Sequence, residues 1–504
     1  MNFYNNYKPL RNYFRRFPMG PSLGAIWALS QEVIEHSSDV RADIVGRPLQ
    51  YRELPFLPWQ IETLCREIVL NAAEVGGERS LLCWKDLAKA FNHIISLEDQ
   101  AFKANGTTMD VMMEVHRLPH RQFPWQSGFS VNSVLRAIKI FGKKEVDDIV
   151  TAELGMTVVQ VTALGLSLAG HYAHSPALQA PESYLQLGIS RDALQAYFDR
   201  TCYSLFVLRE KTKEQQRYDH DWAYTFDPLV ERPLISVGTN QGPRILCPIP
   251  RFLSQRATAG LYFDIARSKA FSNPYGTSFE TYVGEVLRTT CPGPTFSLIP
   301  ETPYKIGRQE YRGQDWIWTD PTAHVFIEAK TKRMRLDAKT QSDPAALERE
   351  LEVMAGLVVQ HYANIDRALK GHVPNWAADA RPIVPMIVTL EDWYLLGPAP
   401  ADILLAKVRF KLVDEKLDPK LVTTIPFIIV SINDLELASQ AMAKVGLGPV
   451  FLKIREQPFM SHSGLWNFIH SHFSYAAKGV SANIFAADLD RFTDEVKALL
   501  FEKT

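Results

Sequence analysis

Cysteine is scarce in this chain: five residues in 504, at Cys65, Cys83, Cys202, Cys247 and Cys291, with no C-x-x-C pair. That excludes a disulfide framework and a cysteine zinc site, and it suits a reducing compartment. Long apolar runs are missing too. No stretch approaches the roughly 18 apolar residues that a membrane-crossing helix needs, so no membrane partner is expected. The first residues lack a signal-like apolar region, and a cytoplasmic location is expected. Net charge is −1, so no global field draws nucleic acid, and any attraction must come from local patches. There is no Walker loop, hence no ATP-driven translocation within the chain. Internal repeats and low-complexity tracts are absent as well.

What is present describes an ordinary globular protein, 46% hydrophobic and 22% charged, long enough for about two to four domains. Phe3 to Phe17 interleaves aromatics with Lys8, Arg11, Arg15 and Arg16, and reads as an arm that packs its rings and leaves its charges in water. From Pro58 to about Arg200 the apolar spacing is helical, clearest in Trp59–Asn71 and Trp84–Ile95. His116–Gln126 reads as a proline-broken surface loop. Lys144–His171 offers two helices around Leu154-Gly155-Met156, a helix-turn-helix outline. Its second helix has no Lys or Arg from Thr157 to Gly170, which argues for a buried pair rather than a DNA reader. Pro233–Val237 and Arg244–Pro248 flank a turn and predict a hairpin.

Ser272-Asn273-Pro274 is turn-rich, and the main domain boundary is placed there. The predicted helix 278–289 follows. In it, Glu280 has two readings that both stand: the last residue of a Thr277-x-x-Glu280 capping box, or a carboxylate free to serve a site. Phe296–Ile306 predicts an edge or bulged strand because of Pro300 and Pro303. Asp343-Pro344 opens a long helix that Gly371 stops. Ile383–Leu390 and Ile425–Ile432 read as strands, and the tail from Asp434 as helical. This divides the chain into a mainly helical domain with one hairpin (1–272), an α/β domain (273–433) and a helical extension packed on it (434–504).

The densest chemistry lies in Tyr311–Arg333. Gln314–Thr319 and His324–Lys330 form two predicted strands around Asp320-Pro321-Thr322. Alternation puts Glu328 and Lys330 on one face, and a turn near Pro321 brings Asp315 opposite them. Glu328 sits in an apolar run, Val325–Ala329, where a solvated charge is unexpected. Two close carboxylates repel unless a cation joins them, and oxygen ligands suit Mg²⁺ or Mn²⁺.

An Asp followed by Glu-x-Lys on the next strand resembles the PD-(D/E)XK nuclease superfamily, of restriction-endonuclease-like fold. The resemblance rests on Asp315, Glu328, Ala329 and Lys330, within a helix–strands–helix–strand order spanning 275–432. Gln314 stands where that family often has proline. The resemblance implies a mixed sheet flanked by helices, preceded by a helical domain and followed by a helical tail. It implies a metal held by Asp315, Glu328 and the Ala329 carbonyl, with Glu280 as a further ligand, and Lys330 as the group that orients or activates water. Lys332, Arg333 and Arg335 would then meet the nucleic-acid backbone. Gln360 is a weaker contributor by the same analogy. The implied activity is metal-dependent phosphodiester hydrolysis, with DNA favoured, in the manner of bacterial defence against phage. A ribonuclease acting on structured RNA such as tRNA, a non-catalytic nucleic-acid-binding scaffold, and a homodimer stay open.

Overall fold

The computed structural model describes residues 3–51, 53–104, 108–126, 130–239, 242–395, 398–456 and 464–501. They fall into two compact units, one drawn from 1–111, 121–271 and 487–504, the other from 112–120 and 272–486. The helical tail expected over 434–504 is therefore divided, its last stretch belonging to the first unit.

The first unit is mainly helical. Phe3–Phe14 is a helix, not an arm, and buries Tyr7, Leu10, Tyr13 and Phe14. Pro58–Asn71 starts on a proline in its first turn, where the missing N–H costs nothing. Lys144–Leu154 ends at Gly155, whose φ of +68° closes the helix, and Thr157 caps Val158–His174 by accepting from the Gln160 N–H at 3.2 Å. That second helix buries Val158, Val161, Leu164 and Leu168, as its lack of basic residues predicts. Among the described residues no single helix is long and apolar enough to cross a membrane. The expected hairpin is Leu234–Thr239 with Gly242–Leu246; the tip of its turn lies outside the described residues. It belongs to a larger four-stranded sheet, flanked by Ala177–Leu178 and Cys202–Ser204, which sequence reading missed.

Two other expectations are corrected. His116–Gln126 is no loop but the end of a helix, Thr108–Gln126, that runs through Pro119 and Pro124. Burial outweighs the prolines' cost: His116 and Arg117 are almost wholly inaccessible, and they bond to the Ala338 and Thr340 carbonyls at 3.1 and 3.0 Å. Ser272-Asn273-Pro274 is not a turn-rich break but the first turn of a helix, since proline is tolerated there.

The second unit is built on that helix, α1 (Ser272–Thr290), and a five-stranded sheet. Its strands are β1 (Ser297–Pro300), β2 (Trp316–Thr319) and β3 (His324–Lys330). After the long helix α2 (Pro344–Leu369) come β4 (Ile383–Thr389) and β5 (Ile428–Ser431). The spatial order is β5-β4-β3-β2-β1. β3, β4 and β5 run parallel, while β1 and β2 join antiparallel, so the sheet is mixed. Pro300 ends β1 at the sheet edge. The second half of the predicted strand leaves the sheet and pairs as Tyr304–Ile306 with Gln309–Tyr311.

β3 is central and apolar, which is why it sits between two neighbours. Phe326 turns toward α2, packing with Ile317, Ile365 and Ala368. On the other face α1 lies directly on β2. A Cβ at Gly284 would come within 2.3 Å of the Trp316 ring, and the Trp316 indole donates to the Glu280 carbonyl at 2.8 Å. The β2–β3 turn is fixed by Asp320. Its Oδ1 accepts from the Thr322 N–H and hydroxyl and the Ala323 N–H, and its Oδ2 accepts from the Leu447 N–H.

Candidate active site

The β2–β3 register pairs Trp316 with Ile327; carried one residue further, it sets Asp315 opposite Glu328. The β1–β2 register pairs Pro300 with Trp316, and the Glu301 N–H donates to the Asp315 carbonyl at 3.0 Å, so Glu301 stands opposite Asp315. Directly paired residues of antiparallel strands share a face. Glu301, Asp315 and Glu328 thus form one row across three strands. Asp315 and Glu328 were foreseen in this row. Glu301 was not, because nothing in the sequence marks a glutamate just past a broken edge strand.

Lys330 is two residues on from Glu328 and donates to its Oε1 at 2.5 Å. The Ala329 N–H donates to Asp315 Oδ2 at 2.7 Å. Because the N–H and C=O of a strand residue face the same neighbour, the Ala329 carbonyl also looks toward Asp315. Glu280 is half-buried. It lies well inside α1, and Thr277 is inside it too, so the capping-box reading falls.

The charges respond to this crowding. Burial, reinforced by Glu328, pushes the Asp315 carboxyl well above its ordinary range. Burial also raises Glu280, against the pull of Lys330, and raises Glu301, against Arg312. Burial would lower the Lys330 ammonium, but Glu328 and Asp315 outweigh it, and its pKa is raised. Carboxyls that hold protons so readily mark a place short of positive charge.

α2 closes the row from behind with a residue that sequence reading missed. Gln360 is exposed, and its neighbour His361 faces inward, 1 % exposed. His361 Nε2 meets the Phe326 carbonyl at 3.0 Å, and Nδ1 lies 3.7 Å from Glu328 Oε2. Burial lowers the His361 pKa, though Glu328 pulls it the other way. Helical spacing alone could have marked His361, since it falls between Val358 and Ile365 on the apolar face of α2.

The expected basic patch is mostly spoken for. Lys332 pairs with the buried Glu350 at 2.9 Å, and Arg333 pairs with Glu391, which also takes Lys339 at 2.8 Å. Arg335 pairs with Asp337 at 3.3 Å and keeps most of its side chain exposed. A cation closer to the row is Arg312, 80 % exposed and 3.9 Å from Glu301. A cleft of about 400 Å³, lined by Ser297, Thr319, His324, Trp376 and Arg381, opens at the opposite end of β3 and does not include the row.

Do these residues fit a divalent cation? Glu328 Oε2 is buried and has no hydrogen-bond partner among the described groups, and the oxygen-rich donor set suits a hard ion. Among the described residues, no three His, Cys, Asp or Glu side chains already converge on one metal position. Ligation therefore asks Asp315 to turn from the Ala329 N–H, a rotation of one short side chain. No family model, curated protein or solved structure matches this chain.

Proposed function

We propose that this protein is a metal-dependent nuclease of the PD-(D/E)XK kind, with DNA its favoured substrate. One observation carries the reading: Asp315 and Glu328 are paired across two strands, with Lys330 bonded to Glu328, on a largely buried sheet face. A buried carboxylate pair without enough cations costs stability, and folding alone has no use for it.

Asp315, Glu328 and the Ala329 carbonyl would hold the ion, with Glu280 and Glu301 at hand for a second. Bound Mg²⁺ or Mn²⁺ would polarise a phosphoryl oxygen and acidify a water. Lys330, bonded to Glu328, would orient or activate the water and steady charge on the phosphate. Arg312 offers an exposed cation to the nucleic-acid backbone.

The test is incubation of purified protein with plasmid, single-stranded DNA, total RNA and tRNA, in Mg²⁺, Mn²⁺ or EDTA. DNA cleavage that EDTA and Glu328→Ala abolish is expected. Cleavage that survives both would sink the reading. Cleavage of RNA alone makes the protein a ribonuclease with the same site, and binding without cleavage makes it a scaffold.

A further inference from the structure

The inference rests on the ion site just proposed and concerns which ion it takes. His361 Nε2 faces the Phe326 carbonyl, an acceptor, so the ring proton sits on Nε2. Nδ1 is then a bare lone pair. It points at Glu328 Oε2, an equally bare acceptor, at 3.7 Å. Both atoms are buried, neither has a hydrogen-bond partner among the described groups, and their residues are 1 % and 6 % exposed. Lys330 cannot serve both, because it is bonded to the other oxygen, Oε1. Two acceptors facing each other in a dry interior need a shared proton or a cation between them, and 3.7 Å is too long for a hydrogen bond through a proton. Two ligands of one divalent ion, each about 2.1–2.2 Å from it, stand roughly 3.0–4.3 Å apart, which spans the separation seen here.

We propose that His361 Nδ1 is a ligand of the ion held by Glu328, and that this nitrogen selects a first-row transition ion such as Mn²⁺ over Mg²⁺. Magnesium favours oxygen ligands and keeps its waters, whereas imidazole binds transition ions well. The carbonyl of Phe326 acts here as the outer partner that fixes the ring's tautomer and aim. His361 comes from α2 and Glu328 from β3, so the site also joins helix to sheet.

The experiment uses the full chain and the ions alone. Titration calorimetry with Mn²⁺ and Mg²⁺ is run on wild type, His361→Ala and Glu328→Ala, and the Mn²⁺ complex is examined by electron spin echo spectroscopy. The expected result is modulation from a directly bound nitrogen in wild type, and Mn²⁺ binding at least about tenfold tighter than Mg²⁺. His361→Ala should remove most of that preference and leave Mg²⁺ affinity within a few fold. His361→Ala also opens a cavity where a buried ring stood, so the wild-type spectrum carries the test without the variant. Bound Mn²⁺ with no nitrogen modulation overturns the role of His361 and leaves the ion site standing. Failure of wild type to bind either ion, or binding unchanged in Glu328→Ala, overturns the ion site and this inference together.

Discussion

Each of the two units buries a glutamate, and the two are treated in opposite ways. Glu67, in the helical unit, is wholly inaccessible and saturated. Its oxygens accept from the Tyr7 hydroxyl at 2.7 Å, the Trp222 indole at 3.1 Å and the Asn71 amide at 3.0 Å. Gln216 and Arg66 add bonds at 3.3 Å each. Glu328, in the sheet unit, takes one bond from Lys330 and leaves its other oxygen open. A buried charge kept for structure has its lone pairs filled by the fold. One with a lone pair left open keeps room for something the fold does not supply.

Substitutions can break this contrast. The largest effect should be catalytic: Glu328→Ala removes cleavage to background while the melting temperature stays level or rises, measured by nuclease assay and differential scanning calorimetry. Glu67→Ala should do the reverse. It strands the Tyr7 hydroxyl and the Trp222 indole and takes one bond each from Arg66, Asn71 and Gln216, and a cost of about 3–5 kcal/mol in denaturant unfolding is expected, with ion binding by the sheet unit unchanged. Lys330→Ala should slow cleavage by about 10²–10⁴-fold while ion affinity, read by calorimetry, is retained.

Gly284→Ala sharpens the comparison from the backbone side. The added carbon must push α1 off the Trp316 ring, which costs about 1–3 kcal/mol and displaces the strand that carries Asp315. Reduced cleavage at saturating Mn²⁺, together with a lower melting temperature, is the expected pair of readings. The smallest effect concerns pH. In the helical unit burial raises Glu62 to about 7 and Asp227 to about 6. A carboxyl raised on folding stabilises below its unfolded pKa, and that contribution is lost as pH rises through its folded value. Unfolding free energy should therefore fall between roughly pH 4 and 7, and Glu62→Gln should flatten the slope.

Much of the sheet unit was legible because strand alternation is strict. Val325–Ala329 could only be a buried strand, and once the turn lay at Asp320–Ala323, Asp315 had to meet Glu328. The helix start at Asp343-Pro344 was equally plain, since the Asp343 side chain accepts a first-turn N–H. Reading failed where tertiary contacts overrule local signals. Pro119 and Pro124 read as a loop, yet buried neighbours hold them in a helix. Ser272-Asn273-Pro274 read as a turn-rich break, and that misplaced Thr277 and made Glu280 look like part of a cap. The run from Lys332 to Arg335 read as a surface for phosphate, because Glu350, Glu391 and Asp337, which take those charges, are distant or unremarkable in sequence. Glu301 was invisible for a related reason, since it joins the site only through the pairing of β1, whereas His361 lay in plain spacing on the apolar face of α2 and was passed over.

The turn at Asp320 has a consequence for how this site can be lost. Three bonds to one carboxylate oxygen set the count of residues between β2 and β3. Side chains alternate with a period of two, so an added or deleted residue there turns Asp315 to the far face while Glu328 stays in place. The site is therefore gauged at the far end of the hairpin, by a residue that takes no part in it. Insertions that most surface turns absorb would here undo both the pairing and the buried packing of Trp316, Ile317 and Trp318, and Asp320 should be as intolerant of length change as the row itself is of charge change.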